Sequence, residues 1–174
     1  MSYTHNRVKY DAGGGILPIN IIPTISLGVI RMSNYEKIFS TVGVNESGRE
    51  GRSYIEGKDF EVNIAAPDSK QKDATNPEEL FALGYSACFN GALQVVLKEE
   101  DVKGKSVVRH EVDLLKGEGP DFKLGVTIEV GIEGLEPEEV QPLADKAHEI
   151  CPYSRAVQNG HIDVEVKGVT FKDA

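Results

Sequence analysis

The pattern of apolar and polar positions divides the first half of the chain into short strands followed by a loop. Residues 35–44 alternate apolar and polar side chains, and the polar segment 45–52 is rich in glycine and charged residues. Alternation with a period of two is typical of a strand with one buried face, and such a polar segment is typical of a turn. We therefore predict a β-hairpin, continued as a meander by strands at 53–56 and 60–65 and closed by a loop at 67–74.

A long helix is predicted to follow this loop. Thr75 or Asn76 can cap its N-terminus, Pro77 suits the first helical position, and the two glutamates that follow place negative charge in the first turn. No proline interrupts the chain from there to Glu100, so the helix should extend to about that residue. Apolar residues cover most of its surface, which predicts a helix buried on nearly all sides.

The C-terminal half is predicted to contain a second hairpin, a second helix and a last strand. Two alternating segments flank a turn that contains Gly119 and Pro120, and the segment that opens with Pro137 is predicted to be helical up to Cys151. A short helical turn is expected to begin at Pro152. The order β-β-β-α-β-β-α-β predicts an α+β fold. The predicted ranges are strands 107–115 and 122–132, helix 137–150 and strand 162–171.

Length and composition indicate one globular domain. The chain has 174 residues, of which 40% are hydrophobic and 27% charged, so it can bury one sizeable core but is too short to favour two. Residues 32–174 form this predicted domain. Residues 1–31 differ, because their apolar stretch is broken by Pro18 and Pro23 and is too short to span a membrane. We expect them to be a non-functional extension or to lie upstream of a natural start at Met32, with an ordered arm against a partner subunit as the alternative.

Charge and cysteine usage narrow the function classes. A formal net charge of -9 opposes binding to phosphate backbones, so no nucleic-acid partner is expected. Two cysteines do not make a disulfide scaffold, and no signal peptide is evident, which predicts a cytoplasmic protein without a membrane partner. No metal site is predicted, because the four histidines lack zinc-like spacing and are expected to be packing or surface residues: His5, His110, His148 and His161.

The two cysteines have different local surroundings. Cys88 lies twelve residues after Asn76, about 18 Å along the predicted helix, where the macrodipole no longer acts on a thiol. By itself it is interpreted as a structural cysteine, and a thiolate there would need a cation from elsewhere in the fold. Cys151 precedes Pro152 and a helical turn, so local electrostatics favour it as the thiolate. Only the fold can bring the two together, and spacing leaves their roles open.

Two segments resemble the signature segments of the organic hydroperoxide resistance (Ohr) branch of the OsmC/Ohr family. They are NPEELFALGYSACFNGAL around Cys88 and CPYSRAVQNGHIDVEV around Cys151, and the GREG turn at Arg49 also matches. The resemblance extends from Met32 to the C-terminus. It implies an OsmC-like α+β fold with an antiparallel β-sheet and a long buried central helix, in an interwoven homodimer with its sites at the subunit interface.

The resemblance also implies the roles of four residues. Cys88 is the implied peroxidatic cysteine and Cys151 the resolving one, which reverses the assignment from local electrostatics. Glu78 is implied to orient Arg49, and Arg49 to lower the pKa of the Cys88 thiol. The alternative from the residues alone is that Glu78 complements the helix dipole and Arg49 is a solvated turn residue.

The implied function is a thiol-dependent peroxidase in oxidative-stress defence. Its substrates would be alkyl or fatty-acid hydroperoxides, and dihydrolipoyl groups of a lipoylated protein would reduce it, with no metal or organic cofactor. An apolar pocket is expected from Phe81, Tyr85, Phe89 and Tyr153. The alternatives are an OsmC-branch peroxidase with a different peroxide preference and a redox-sensing or binding module without sustained turnover. A cysteine hydrolase is disfavoured because no histidine base is indicated.

Overall fold

The computed structural model describes residues 36–158 and 163–172. The chain divides into two units, Met1–Ser40 and Thr41–Ala174, and every described helix and strand belongs to the second. The predicted extension at 1–31 lies outside the described residues. In chain order the elements are β1 (Gly43–Glu46), a 3-10 turn (Gly48–Glu50), β2 (Arg52–Ile55), β3 (Glu61–Ile64), β4 (Ala74–Thr75), α1 (Pro77–Glu99), β5 (Ser106–Lys116), β6 (Phe122–Ile132), α2 (Pro137–Ile150), α3 (Pro152–Gln158) and β7 (Asp163–Gly168).

The strands form two sheets, and neither is purely antiparallel. The first has the order β1-β2-β3-β4 and the second β5-β6-β7, and in each the last pairing is parallel. This corrects the expectation of an antiparallel sheet. The reason in the second sheet is topological, because α2 and α3 carry the chain back across the sheet before β7 pairs with β6, and such a crossover returns the strand in the same direction.

The predicted N-terminal strand is mostly absent. Residues 36–42 form no strand, and β1 begins only at Gly43, where it pairs with Ile55 of β2. The alternating sequence does not suffice, because a strand needs a partner and β2 ends at Ile55. The two-residue strand β4 was not predicted, since it is defined only by its parallel pairing with β3. The other elements lie within one or two residues of their predicted ranges, except that β7 ends at Gly168.

Helix α1 begins where its capping residues predict. The Asn76 side chain accepts a 2.8 Å hydrogen bond from the backbone N–H of Glu79, and Pro77 occupies the first helical position. One face of α1 then packs into the core against β5 and α2. The buried residues of this core include Tyr85, Phe89, Leu93 and Val96 of α1, Val126, Ile128, Val130 and Ile132 of β6, and Val140, Ala144 and Ala147 of α2.

The opposite face of α1 is exposed and apolar. Leu83 and Val95 are 67% and 48% exposed, and Ala87 and Gly91 lie exposed between them. Spaced four apart, these residues form one line along the helix, which we call the α1 stripe. The stripe corrects the prediction of a helix buried on nearly all sides. Among the described residues α1 is also the one helix long and apolar enough to cross a membrane, although a core helix meets the same criterion.

His110 of β5 is a buried polar group without a hydrogen bond. Neither ring nitrogen has a partner among the described residues. The ring lies 4.4 Å from that of Tyr85 and 5.7 Å from that of Phe89, measured between centroids. Burial disfavours the charged imidazolium and lowers the pKa of His110 to about 4. The prediction that this histidine is a packing residue is therefore confirmed.

Acidification should destabilise the fold through His110. Between its usual pKa of 6.5 and its folded pKa of about 4, the unfolded chain binds a proton that the folded chain does not. The free energy of unfolding should therefore fall by about 1–3 kcal/mol as the pH drops through that range. His110→Phe should flatten this slope in denaturant titrations at pH 7.5, 6 and 5. Part of the slope should remain, since burial also lowers the pKa of His148. An unchanged slope would contradict the assignment to His110.

Candidate active site

The fold brings the two cysteines into contact. Cys88 faces inward from the middle of α1, and Cys151 lies at the junction of α2 and α3. Their Sγ atoms are 3.7 Å apart, although the residues are 63 positions apart in the chain. Both thiols are free, so this is a reduced dithiol. A disulfide requires a separation of about 2.05 Å, so its formation has to bring the two sulfurs closer together.

The two sulfurs differ in access to solvent. Cys151 is fully buried, whereas Cys88 is partly exposed at the edge of the core. A reagent from solvent therefore meets Cys88 first. Access favours Cys88 as the attacking thiol and Cys151 as the partner behind it, against the order that local electrostatics suggested.

The backbone N–H of Tyr153, in the first turn of α3, donates to the Cys88 sulfur. Burial raises the pKa of the Cys88 thiol, a hydrogen bond from the backbone N–H of Tyr153 opposes that shift, and the adjacent Cys151 adds to it. A helical turn after Cys151 was predicted to donate amide groups to a thiolate, and the turn is present as α3. The backbone amide of Tyr153 in this turn acts on Cys88 of α1, because α3 packs against α1.

Arg49 and Glu78 form the predicted ion pair. Arg49 Nη1 donates to Glu78 Oε2 at 3.0 Å, and Nη2 donates to Oε1 at 2.6 Å. The Glu78 side chain is only 11% exposed. The hydrogen bond from Arg49 holds the pKa of Glu78 below its usual value. The nearby Arg52 is paired with Glu46 and Glu61 instead, so the two arginines have separate partners.

The expected effect of Arg49 on the pKa of the Cys88 thiol stays a prediction. Glu78 precedes Cys88 by ten residues, about 15 Å along α1. Both terminal nitrogens of Arg49 are engaged with Glu78, and Arg49 is not among the groups that shift the pKa of Cys88 in this chain. The pair is therefore formed at the start of α1.

Asn45, which sequence reasoning did not single out, organises the turn that carries Arg49. Its Nδ2 donates to the Gly48 carbonyl at 3.0 Å and to Ser53 Oγ at 3.0 Å, and its Oδ1 accepts from the Gly48 N–H at 2.9 Å. A Cβ on Gly51 would lie 1.8 Å from the carbonyl oxygen of Glu46, so the turn also requires a glycine there. The sequence feature that could have indicated this role is an asparagine shortly before a Ser-Gly pair, which is typical of a turn.

The four aromatic residues divide into two groups. Tyr85 and Phe89 are fully buried core residues, so in this conformation neither can face an incoming peroxide, which corrects their predicted place in a substrate pocket. Phe81 and Tyr153 remain accessible, and their rings stack with 6.5 Å between centroids and 13° between planes. Gly84 of α1 lies beside the Tyr153 ring, where a Cβ would be at an ordinary contact distance of 3.6 Å from Cε2.

Metal ligands are not clustered in the described part of the chain. No three His, Cys, Asp or Glu side chains of residues 36–158 and 163–172 are placed to hold one ion. The chemistry that these residues offer is that of a dithiol with one accessible sulfur.

The comparisons with known proteins agree with this geometry. The sequence model of a family described as OsmC-like protein matches residues 67–167, a range that holds both cysteines and Glu78. The chain belongs to the OsmC-like family. Within it, the chain is 42% identical over 137 residues to organic hydroperoxide resistance protein OhrA of Bacillus subtilis (strain 168), covering 76% of this chain and 96% of the relative. It is 36% identical over 138 residues to the organic hydroperoxide resistance protein of Xanthomonas axonopodis pv. citri (strain 306). That match covers 76% of this chain and 96% of the relative.

Solved structures of OsmC-like proteins share the fold. The crystal structure of OhrB of Bacillus subtilis superposes with a TM-score of 0.69 at 38% identity, covering 75% of this chain and 98% of that one. The crystal structure of an organic hydroperoxide resistance protein from Elizabethkingia anophelis superposes with a TM-score of 0.70 at 33% identity. This match covers 78% of this chain and 99% of that one. The implied OsmC-like α+β fold is therefore confirmed, and at the level of the family the function is organic hydroperoxide resistance.

Alkylation should distinguish the two thiols of this OsmC-like protein. Iodoacetamide should modify Cys88 at least about tenfold faster than Cys151 in the reduced native protein, because Cys151 is fully buried. Peptide mass mapping after short exposure measures both rates, and the denatured protein, in which both thiols are open, is the control. Faster modification of Cys151 would contradict the assignment and favour it as the nucleophile.

Proposed function

We propose that this protein is a cysteine-based peroxidase that reduces organic hydroperoxides to alcohols, as part of oxidative-stress defence. The observation that carries the proposal is the pair of reduced sulfurs 3.7 Å apart, one partly exposed and one fully buried. An accessible thiol with a resolving thiol in contact is the arrangement that two-step peroxide reduction requires.

In the proposed reaction the two cysteines are oxidised in two steps. The Cys88 thiolate attacks the outer oxygen of ROOH, the O–O bond breaks, and the departing alkoxide takes up a proton to leave as ROH. Cys88 is then a sulfenic acid. The Cys151 sulfur attacks the Cys88 sulfur, the sulfenic hydroxyl leaves as water, and a Cys88–Cys151 disulfide forms. Two electrons have passed from the two cysteines to the peroxide.

The attacking thiol has to be ionised in spite of its burial. The backbone N–H of Tyr153 already acts in that direction on Cys88. Arg49 is the proposed second contributor, and Glu78 would orient it. The bidentate pair uses two of the five N–H donors of the guanidinium, so others remain for a thiolate or a peroxide oxygen.

A homodimer would bring these groups together. The α1 stripe is an exposed apolar line, and Cys88 borders it between Ala87 and Gly91. Two copies packed through the stripe would cover Leu83 and Val95 and place the thiols at the subunit interface. A second copy could then present its own Arg49–Glu78 pair to Cys88, from which Glu78 of the same chain is separated by about 15 Å along α1.

The proposed substrate follows from the surface beside Cys88, and the proposed reductant follows from the resemblance to the Ohr branch. The stacked rings of Phe81 and Tyr153 offer an apolar surface for the organic part of an alkyl or fatty-acid hydroperoxide. The buried disulfide would be reduced by an external dithiol, for which we propose the dihydrolipoyl group of a lipoylated protein. No metal or organic cofactor enters the proposed cycle, and a cytoplasmic location is part of the proposal.

Assembly through the α1 stripe can be tested with Gly91. A side chain at this position would meet nothing within 4 Å in the single chain, so Gly91→Leu should fold normally. In a dimer packed through the stripe it should raise the dissociation constant at least about tenfold, because closely packed interfaces do not accommodate added volume. Light scattering across a dilution series measures this. Ile150→Glu, which changes an exposed apolar residue of α2, is the control. A Gly91→Leu dimer as tight as wild type would contradict packing through the stripe.

The peroxidase proposal is tested by turnover. With excess dihydrolipoamide, the wild type should consume cumene hydroperoxide faster than hydrogen peroxide. Cys88→Ser should lose at least about a thousandfold in rate, and Cys151→Ser should stop after the first equivalent or become overoxidised.

Other outcomes of that assay select among the alternatives. A preference for hydrogen peroxide would favour an OsmC-branch peroxidase. Reaction that ends after one equivalent in the wild type would favour a redox sensor. Full activity in Cys88→Ser would contradict the proposal.

A further inference from the structure

A buried hydrogen bond links the two segments that carry the cysteines. Tyr85 Oη donates to Ser154 Oγ at 2.9 Å, and both side chains are fully buried. Tyr85 precedes Cys88 by three residues on α1, and Ser154 follows Cys151 by three residues in α3. The bond thus joins α1 and α3 about one helical turn from each sulfur.

We propose that the Tyr85–Ser154 hydrogen bond is a positioning device for the dithiol. It holds α3 against α1 so that Cys151 stays in contact with Cys88, and thereby sets the equilibrium constant for closing the disulfide. The inference deepens the proposed function, on which its role in turnover rests. The contact of the two sulfurs and the bond itself are properties of the reduced fold.

The tyrosine is suited to this task because its ring is held on several sides. Its centroid lies 5.6 Å from that of Phe81, 4.4 Å from that of His110 and 5.8 Å from that of Tyr153. The ring therefore has little freedom, and the hydroxyl points from α1 to a fixed place. Burial also raises the pKa of Tyr85, so the group remains a donor over the physiological pH range.

The serine is suited to the task because α3 is a short helix that depends on its tertiary contacts. The helix has seven residues, and helices of that length are unstable by themselves in water. Its attachments within the described residues include Val157 in the core and the Tyr153 ring stacked on Phe81. A buried hydroxyl pair adds a directional restraint, because any displacement of α3 leaves two buried polar groups unsatisfied.

The closing experiment measures disulfide equilibrium without peroxide. Each protein is equilibrated with mixtures of oxidised and reduced dithiothreitol, in which the dithiol Cys88/Cys151 gives two electrons and two protons to the cyclic disulfide. Rapid alkylation and mass spectrometry then give the oxidised fraction. The variants are Tyr85→Phe, Ser154→Ala and the double variant. Tyr54→Phe, which removes a tyrosine hydroxyl from β2, is the matched control.

The positioning role predicts a specific pattern. Each single variant should lower the equilibrium constant for disulfide formation about 5- to 20-fold, because α3 gains freedom in the reduced protein that closing the disulfide then has to remove. The double variant should lower it by no more than either single change, as expected for two groups that act as one unit. Tyr54→Phe should match the wild type. Ser154→Thr, which retains a hydroxyl, should recover part of the loss.

A merely structural bond would give a different result. It would lower the melting temperature of the variants and leave the equilibrium constant at the wild-type value, and that outcome overturns the inference. Should a single variant fail to fold, the double variant decides, since it leaves no unpaired hydroxyl. Because no peroxide is used, failure of the peroxidase assay would not affect this readout, and a wild-type equilibrium constant in the variants would not affect the peroxidase proposal.

Discussion

Contact between the sulfurs of Cys88 and Cys151 places two opposing demands on the fold. The thiols have to be packed together without intervening water, which requires α1 to lie against the junction of α2 and α3. The same burial disfavours a thiolate and raises the pKa of Cys88. The structure meets the first demand with the core beneath α1. It addresses the second by leaving Cys88 at the edge of that core and by directing the Tyr153 N–H at its sulfur.

The start of α1 contributes a second element of the site. Glu78 occupies the first turn, where its charge complements the helix dipole, and also receives both terminal nitrogens of Arg49. The two roles are compatible because Asn76 satisfies the backbone of that turn by capping it. The Glu78 carboxylate can therefore bind the arginine. The turn that Asn45 organises, between β1 and β2, holds Arg49 in position for this pair. The same helix thus presents an anchored cation at one end and a thiol at its centre.

The sequence predicted those features that depend on local chemistry. Asn76 and Pro77 located the start of α1, and strand β6 and helix α2 have their predicted bounds because their patterning and capping are local. The residues from 36 to 42 failed as a strand, since pairing depends on a distant partner. The resemblance identified Cys88, Cys151, Arg49 and Glu78, but not their distances. Tyr85 and Phe89 were wrongly predicted to line a substrate pocket. An aromatic residue near a cysteine in the sequence can face either the core or the pocket, and the sequence does not distinguish the two. Ser154 was overlooked because its partner is 69 residues away.

The most direct test of this account is the product of one reaction with peroxide. Reduced protein is mixed with one equivalent of cumene hydroperoxide in the absence of reductant, quenched with an alkylating agent and mapped by mass spectrometry under non-reducing conditions. The proposed mechanism predicts a single cross-linked peptide that joins Cys88 to Cys151, stoichiometric with the alcohol released. Alcohol release with Cys151 still free and Cys88 stably oxidised, or a sulfenic acid trapped on Cys151, would contradict the proposed order of the two thiols.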